Sequence, residues 1–106
     1  MKFSLSLLAA FIGAAVADSH YSCTCHNGDS YIWRITSPAC DFYKTDRPAD
    51  VSYVSDTGRC TSSSGNLIDG DSWEAACKKM VTDGYECGDG QGKCYADSDD
   101  IKGWCD

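Results

Sequence analysis

The sequence contains few of the side chains on which acid–base and nucleophilic catalysis depend. Its only histidines are His20 and His26, close together near the start of the chain. No G-x-S-x-G segment is present, which argues against a serine hydrolase built on a nucleophile elbow. The eight cysteines are an even number and leave no predicted free thiol to act as a nucleophile. We therefore expect a protein that is not an enzyme.

One set of acid–base residues remains as an alternative. A ribonuclease pairs a histidine or glutamate with a second acid–base group and uses an arginine to hold the phosphate. His26, Glu74 and Arg34 supply these residue types. Glu74, however, also fits a structural role at the start of a predicted helix, and no neighbouring residue gives Arg34 a catalytic context.

Basic side chains are also scarce, since nine Lys and Arg residues face sixteen Asp and Glu residues. A surface of this sign repels phosphate backbones and anionic lipid headgroups. The composition therefore argues against a nucleic acid or a membrane as the partner.

Only one long apolar run is present, from Phe3 to Val16, directly after Lys2. It ends at Ala15–Ala17, a small-residue pattern typical of signal-peptide cleavage, and it falls short of the roughly 18 residues of a membrane-spanning helix. We expect residues 1–17 to be a cleaved signal peptide and residues 18–106 to be a cysteine-rich secreted domain. That domain has 89 residues and a net charge of −8.

All eight cysteines lie in the predicted secreted domain. No C-x2-C pair is present, which argues against zinc, and short secreted domains depend on disulfides because they bury a limited core. We expect four disulfides, each contributing roughly 2–4 kcal/mol, with the pairing left open. The cysteines are Cys23, Cys25, Cys40, Cys60, Cys77, Cys87, Cys94 and Cys105.

Two acidic segments, Asp69–Asp71 and Asp97–Asp100, are weak candidates for calcium ligands. Neither matches the twelve-residue calcium loop. The first is better explained by helix capping and the second by a solvated turn. We therefore expect no metal and no cofactor.

The clearest predicted element is a helix that begins near Asp71. Asp71 and Glu74 resemble a capping box, and Gly84 supplies a stop. Between them, apolar side chains recur with the period of a helix. They are Trp73, Ala76, Cys77, Met80 and Val81.

A shorter helix is predicted from Pro38 to about Lys44, with Ser37 as its N-cap. The segment Tyr31–Ile35 before it is ambiguous between a short strand and the start of a helix. Alternation and turn residues predict strands before, between and after the two helices. These strands are His20–His26, with Tyr21, Cys23 and Cys25 on one face, then Val51–Val54, Arg59–Ser63, Tyr85–Cys87 and Lys93–Ala96. The tail from Asp97 is expected to dock through Ile101, Trp104 and Cys105.

This order of elements predicts an α+β fold. We expect a small disulfide-stabilised α/β sandwich, in which two short helices lie on one face of a mainly antiparallel sheet. An all-β, knottin-like fold is the alternative, and the apolar helical stripe from Trp73 to Val81 argues against it.

Aromatic side chains are numerous for an 89-residue domain, and we expect most of them to add bulk to a disulfide-rich core. Trp33 and Arg34 are adjacent, and both residue types are enriched at interaction hot spots. We predict that Trp33 and Arg34 form part of a partner-binding surface.

Several short segments resemble small cysteine-rich secreted proteins of filamentous fungi, including biotrophy-associated effectors of plant pathogens. The segments are Cys23–Cys25, Pro38–Cys40 with Tyr43, Cys60, and the stretch Ile68–Cys77 with its I-x-G-x-x-W-x-x-A-C pattern. Many such proteins are similar to the α/β sandwich of fungal killer toxins. The additional cysteines near the C-terminus depart from the commoner six-cysteine members and leave the pairing of Cys87, Cys94 and Cys105 open.

The resemblance implies secretion at a host interface, in the host apoplast, without catalysis. The expected partner is a host protein or a cell-wall component, bound by a monomer. A secreted killer or antimicrobial toxin is an alternative, although such proteins are usually cationic. A small secreted ribonuclease is the other.

Overall fold

Two helices and a mainly antiparallel sheet form the fold, as the sequence predicts. The computed structural model describes residues 19–47, 50–65 and 67–106, so the predicted signal peptide lies outside the described residues. The strands are β1 (Ser19–His20), β2 (Ser22–Asn27), β3 (Ser30–Tyr31), β4 (Val51–Val54), β5 (Arg59–Ser62), β6 (Ile68–Asp69), β7 (Tyr85–Glu86), β8 (Lys93–Cys94) and β9 (Ile101–Cys105). The helices are α1 (Trp33–Asp46) and α2 (Gly70–Asp83), with a 3₁₀ turn at Ser98–Asp100. Within these residues, neither helix has the length and apolar character that a membrane crossing requires.

The central strand of the main sheet is β2. It pairs antiparallel with β9 on one side and with β5 and the short β3 on the other, and β4 pairs antiparallel with β5. The chain order β2-α1-β4-β5-α2-β9 with the spatial order β9-β2-β5-β4 is the split β-α-β arrangement. Both helices pack against each other and contact β2, so they cover the same face of the sheet.

Helix α1 begins earlier than the sequence indicates. The predicted start at Ser37–Pro38 is wrong, because the helix begins at Trp33. Its first turn is held by strand β2: the N–H of Ile32 donates to the carbonyl of Cys25 at 3.0 Å, and the N–H of Cys25 donates to Oγ1 of Thr36 at 3.0 Å. The first bond satisfies the N–H of the N-cap residue Ile32, and the second ties Thr36 of the first helical turn to β2, although no side chain caps the helix.

The proline predicted to open this helix lies inside it. Pro38 has no N–H to donate to the carbonyl of Arg34, so the helix lacks one of its internal hydrogen bonds there. Burial of one side of the helix offsets this loss. The buried residues of α1 are Ile35, Thr36, Ala39, Cys40 and Tyr43.

Helix α2 is confirmed, but its start differs by two residues. The N-cap is Asp69, not Asp71, because the carboxylate of Asp69 accepts the N–H of Ser72 at 2.9 Å. Gly84 ends the helix with a positive φ of 104°, which favours glycine. Of the predicted apolar stripe, Trp73, Ala76, Cys77 and Val81 are buried and Met80 is partly buried.

The predicted capping role of Glu74 is wrong. Its carboxylate Oε1 instead accepts the N–H of Gly103 in β9 at 2.9 Å. A Cβ on Gly103 would lie 2.8 Å from Cδ1 of Trp73 and 3.0 Å from Cα of Glu74. Glycine at position 103 therefore allows α2 to approach β9 closely.

The C-terminal tail docks as predicted, and it does so as a strand of the main sheet. Residues Ile101 to Cys105 pair with Asn27 to Cys23 along the full length of β9. Ile101 is fully buried under the helices, whereas Trp104 lies on the face of the sheet opposite α1 and α2. The prediction that Tyr21 shares a face with Cys23 and Cys25 is wrong, since Tyr21 lies in a bend between β1 and β2 and is exposed.

The eight cysteines form four disulfides, as predicted from their even number. The pairs are Cys23–Cys105, Cys25–Cys77, Cys40–Cys60 and Cys87–Cys94. Cys40 anchors α1 to β5, and Cys77 anchors α2 to β2. The last pair lies outside the main sheet and closes the β7–β8 hairpin.

Candidate functional site

The two residues predicted to form a partner surface lie together at the start of α1. The guanidinium carbon of Arg34 lies 4.5 Å from the centre of the Trp33 ring, within cation–π distance. Trp33 nevertheless keeps 49% of its surface exposed. The structure therefore places an exposed aromatic ring and a cation side by side.

Arg34 is held in place from across a gap by the β7–β8 hairpin. Its Nη1 lies 3.6 Å from Oε1 of Glu86, and its Nη2 donates to the carbonyl of Gly88 at 3.4 Å. The disulfide Cys87–Cys94 closes the hairpin that carries both partners. The position of Arg34 thus depends on a segment about fifty residues further along the chain.

A groove of about 320 Å³ runs between α1 and the start of this hairpin. We call it the Trp33 groove. Its lining residues are Trp33, Arg34, Ser37, Pro38 and Asp41 from α1 and Gly84, Tyr85 and Glu86 from the hairpin. Trp33, Ser37 and Asp41 are four residues apart, so they form one line along the exposed side of the helix.

The Trp33 groove combines the chemistry of a binding site. The ring of Trp33 lies at one end of the groove and the carboxylate of Asp41 at the other. Arg34 and the carboxylate of Glu86 lie beside each other. Such sites combine apolar surface with a few polar groups that fix the orientation of a ligand. The sequence predicted the tryptophan and the arginine, but it did not indicate Asp41 or Glu86, because no local pattern links α1 to β7.

A second cleft of about 290 Å³ lies on the α2 side of β9. Its lining residues are His20, Gly70, Asp71, Glu74, Gly103 and Cys105. The main acid–base candidate in this cleft, Glu74, is engaged by the N–H of Gly103. The cleft therefore offers a carboxylate that already has a structural partner.

The alternative ribonuclease set is not assembled. Glu74 bonds to β9, Arg34 pairs with Glu86 on the hairpin, and His26 packs on the open face of the sheet. Among the described residues, no hydrogen bond or ion pair joins any two of the three.

The two acidic segments have structural roles at the starts of helical turns. Asp69 caps α2, and Oδ1 of Asp97 accepts the N–H of Asp99 at 3.0 Å. In the part of the chain that the structure describes, no group of three or more His, Cys, Asp or Glu side chains is placed to hold a metal ion.

His26 lies beneath Trp104 on the open face of the sheet, a pairing that the sequence did not indicate. The two rings stack with centres 3.7 Å apart, and only 7% of His26 is exposed. Nε2 of His26 lies 2.9 Å from Oγ1 of Thr24, whereas Nδ1 is buried and has no hydrogen-bond partner among the described residues. Burial lowers the pKa of His26, against a smaller opposing effect of the Asp29 main chain.

We expect folding stability to decrease between pH 7 and pH 5 because of His26. The unfolded chain takes up a proton near the ordinary histidine pKa of about 6.5, whereas the folded chain resists it. Stability is therefore fully present above that pH and is lost as the pH falls towards the lowered pKa of the folded state. Urea unfolding at several pH values measures this slope.

The variant that tests this is His26→Gln, which should flatten the slope between pH 7 and pH 5. A slope unchanged in His26→Gln would contradict the assignment to His26.

Tyr31 forms a second polar contact that the sequence did not indicate. Its hydroxyl donates to the carbonyl of Gly58 at 2.6 Å and lies 3.2 Å from the hydroxyl of Tyr53. Burial, with the Tyr53 hydroxyl next in importance, raises the pKa of Tyr31 to about 12. The Tyr31 hydroxyl therefore stays protonated and links β3 to the β4–β5 turn by a hydrogen bond.

Comparison with known proteins identifies no family for this chain. No family model, no curated protein and no solved structure matches the chain. Its function has to be inferred from its own residues.

Proposed function

We propose that this chain is a secreted, non-catalytic interaction protein of a fungus that binds a partner at the host interface, in the manner of an effector. The observation that carries the proposal is the Trp33 groove, with its exposed ring and its arginine fixed by an ion pair. The partner is a host protein or a cell-wall component, and binding promotes colonisation or modulates host defence.

The groove has the composition of an interaction hot spot. Tryptophan and arginine are enriched where a few residues carry most of the binding energy. Arg34 is already positioned by Glu86 and Gly88, so less side-chain freedom is lost on binding than for an unrestrained arginine.

Four disulfides support the extracellular part of the proposal. Such bonds persist in oxidising compartments, and together they constrain nearly the whole described chain, from Cys23 to Cys105. A surface held in this way keeps its shape where proteases are abundant, because local opening exposes cleavable backbone.

We expect Trp33→Ala to abolish the contribution of this protein to host colonisation. The substitution removes the exposed ring of the groove and leaves the buried core intact. The measurement is colonisation by a deletion strain that expresses either the wild-type chain or the variant, with secreted protein quantified in both.

The matched control is Tyr21→Ala, which removes an aromatic ring that is also 49% exposed but lies outside the groove. It should restore colonisation as the wild type does. Full restoration by Trp33→Ala would contradict the proposal. Growth inhibition of competing microbes without any host effect would favour a toxin, and RNA cleavage that is lost in His26→Ala would favour a ribonuclease.

A further inference from the structure

One disulfide differs from the other three in its exposure to solvent. In Cys87–Cys94 both residues are partly exposed, whereas each of the other three pairs contains at least one cysteine that is fully buried. A dissolved thiol must reach a sulfur atom to attack a disulfide, so access favours reaction at this pair. Cys87–Cys94 should therefore be the first of the four bonds to open under a reductant.

The outer part of the β7–β8 hairpin has few restraints besides this bond. The two strands pair at only two positions, and the loop between them contains three glycines, which allow the backbone wide conformational freedom. The base of the hairpin is better anchored, because Tyr85 and Ala96 pack against the core. Opening the disulfide therefore frees the loop while the base stays in place.

The same part of the hairpin positions Arg34. Glu86 and Gly88 are the immediate neighbours of Cys87, and both contact the guanidinium of Arg34. Apart from bonds within the hairpin, Arg34 is the one hydrogen-bond or ion-pair partner of residues 86–92 among the described residues. A freed loop therefore releases Arg34, because both of its partners flank a cysteine of the opened pair.

The rest of the fold does not depend on this bond. Its two cysteines are separated by only 7 positions, and the bond lies outside the main sheet. A short closed loop restricts the unfolded chain less than a long one. The three buried pairs still tie both helices and β9 to the sheet when this bond is open. Reduction at this pair therefore acts on the Trp33 groove and leaves the core intact.

We propose that Cys87–Cys94 is a redox switch for the Trp33 groove, opened by a dissolved thiol of the glutathione class. The closed bond holds Arg34 beside Trp33, and the open form releases Arg34 and loosens the hairpin wall of the groove. The groove is thus formed where disulfides persist and is lost in a reducing compartment, although the fold remains. This inference rests on the proposed function, because it names how that site is regulated.

The chemistry is thiol–disulfide exchange in two steps. A thiolate of the reductant attacks one sulfur of the pair, the S–S bond breaks, and the other sulfur leaves as a thiolate that takes up a proton. A second thiolate attacks the mixed disulfide and releases the oxidised reductant. The protein gains two electrons and two protons, and two reductant thiols supply them as they join in a disulfide.

The test is a titration of the full secreted chain with reduced glutathione at neutral pH. Free thiols are blocked with iodoacetamide and located by peptide mass spectrometry. Cys87 and Cys94 should be labelled at a concentration at least about tenfold lower than the other six cysteines require. In the same samples, the NMR signals of the Arg34 side chain and the Trp33 indole should shift, whereas the indole signal of buried Trp73 should not. Oxidised glutathione should restore the original signals.

Two variants separate the bond from the reductant. Cys87→Ser combined with Cys94→Ser should show the shifted signals of Arg34 and Trp33 without any thiol, and glutathione should not change them further. Gln91→Ala alters the exposed loop but keeps the disulfide, so it should respond as the wild type does.

Two results would overturn the inference. One is opening of another pair before Cys87–Cys94, and the other is unshifted Arg34 and Trp33 signals once Cys87–Cys94 is open. Neither result refutes the proposed function, which Trp33→Ala tests with the disulfide intact.

Discussion

Replacing both Cys25 and Cys77 with alanine is expected to lower the free energy of unfolding by about 4 kcal/mol. This disulfide joins the central strand β2 to helix α2 across 52 residues of sequence. Without this disulfide, the unfolded chain regains the conformational freedom that closing such a long loop takes away. Both sulfurs lie in the fully buried core, so the change also removes packing contacts.

Urea unfolding monitored by tryptophan fluorescence measures this loss. The control is the double replacement of Cys87 and Cys94, whose loop spans only 7 residues and which closes the outer hairpin. Its removal should cost about 2 kcal/mol by the same loop argument. Equal losses in the two double variants would show that loop length does not set the contribution of these bonds.

Trp73→Ala is expected to destabilise the fold by about 3–5 kcal/mol. Trp73 is the largest fully buried side chain, and its ring lies between α2, α1 and the sheet, 6.1 Å from the ring of Tyr43. Its Nε1 donates to the carbonyl of Thr24 on β2 at 2.9 Å. The truncation therefore leaves a cavity and removes one hydrogen bond between α2 and β2.

Two further variants separate these effects. Trp73→Phe keeps most of the ring and removes only the indole donor, so it should cost about 1–3 kcal/mol. Trp33→Ala, which removes an exposed tryptophan, should change stability by no more than about 0.5 kcal/mol. If Trp33→Ala were as destabilising as Trp73→Ala, the groove would be part of the core and not a free surface.

The sequence was most informative where one segment determines its own structure. Helix α2 combines an apolar stripe, a terminal glycine and a capping aspartate between Asp69 and Gly84, and only the choice of cap and the role of Glu74 were wrong. The even number of cysteines likewise predicted four disulfides. Their pairing could not be predicted, because it depends on which strands become neighbours.

The errors concern contacts between distant segments. The start of α1 depends on hydrogen bonds between Cys25 and residues Ile32 and Thr36, which the sequence does not reveal. Ser37–Pro38 is the stronger local start signal, and the sequence left Tyr31–Ile35 ambiguous between strand and helix. In the groove, Trp33 and Arg34 could be selected by residue type. Glu86 could not, because only the folded chain brings the hairpin beside α1.

The bond between Glu74 and Gly103 has a consequence for how copies of the chain behave when concentrated. Strand β9 is an outer strand of the main sheet, and its exposed side could serve as a template for a second molecule. The carboxylate of Glu74 occupies the N–H that Gly103 directs away from β2, and it also presents negative charge along that side. An incoming strand would have to displace this carboxylate before it could pair. The side chain of Glu74 therefore disfavours edge-to-edge pairing of folded molecules through β9.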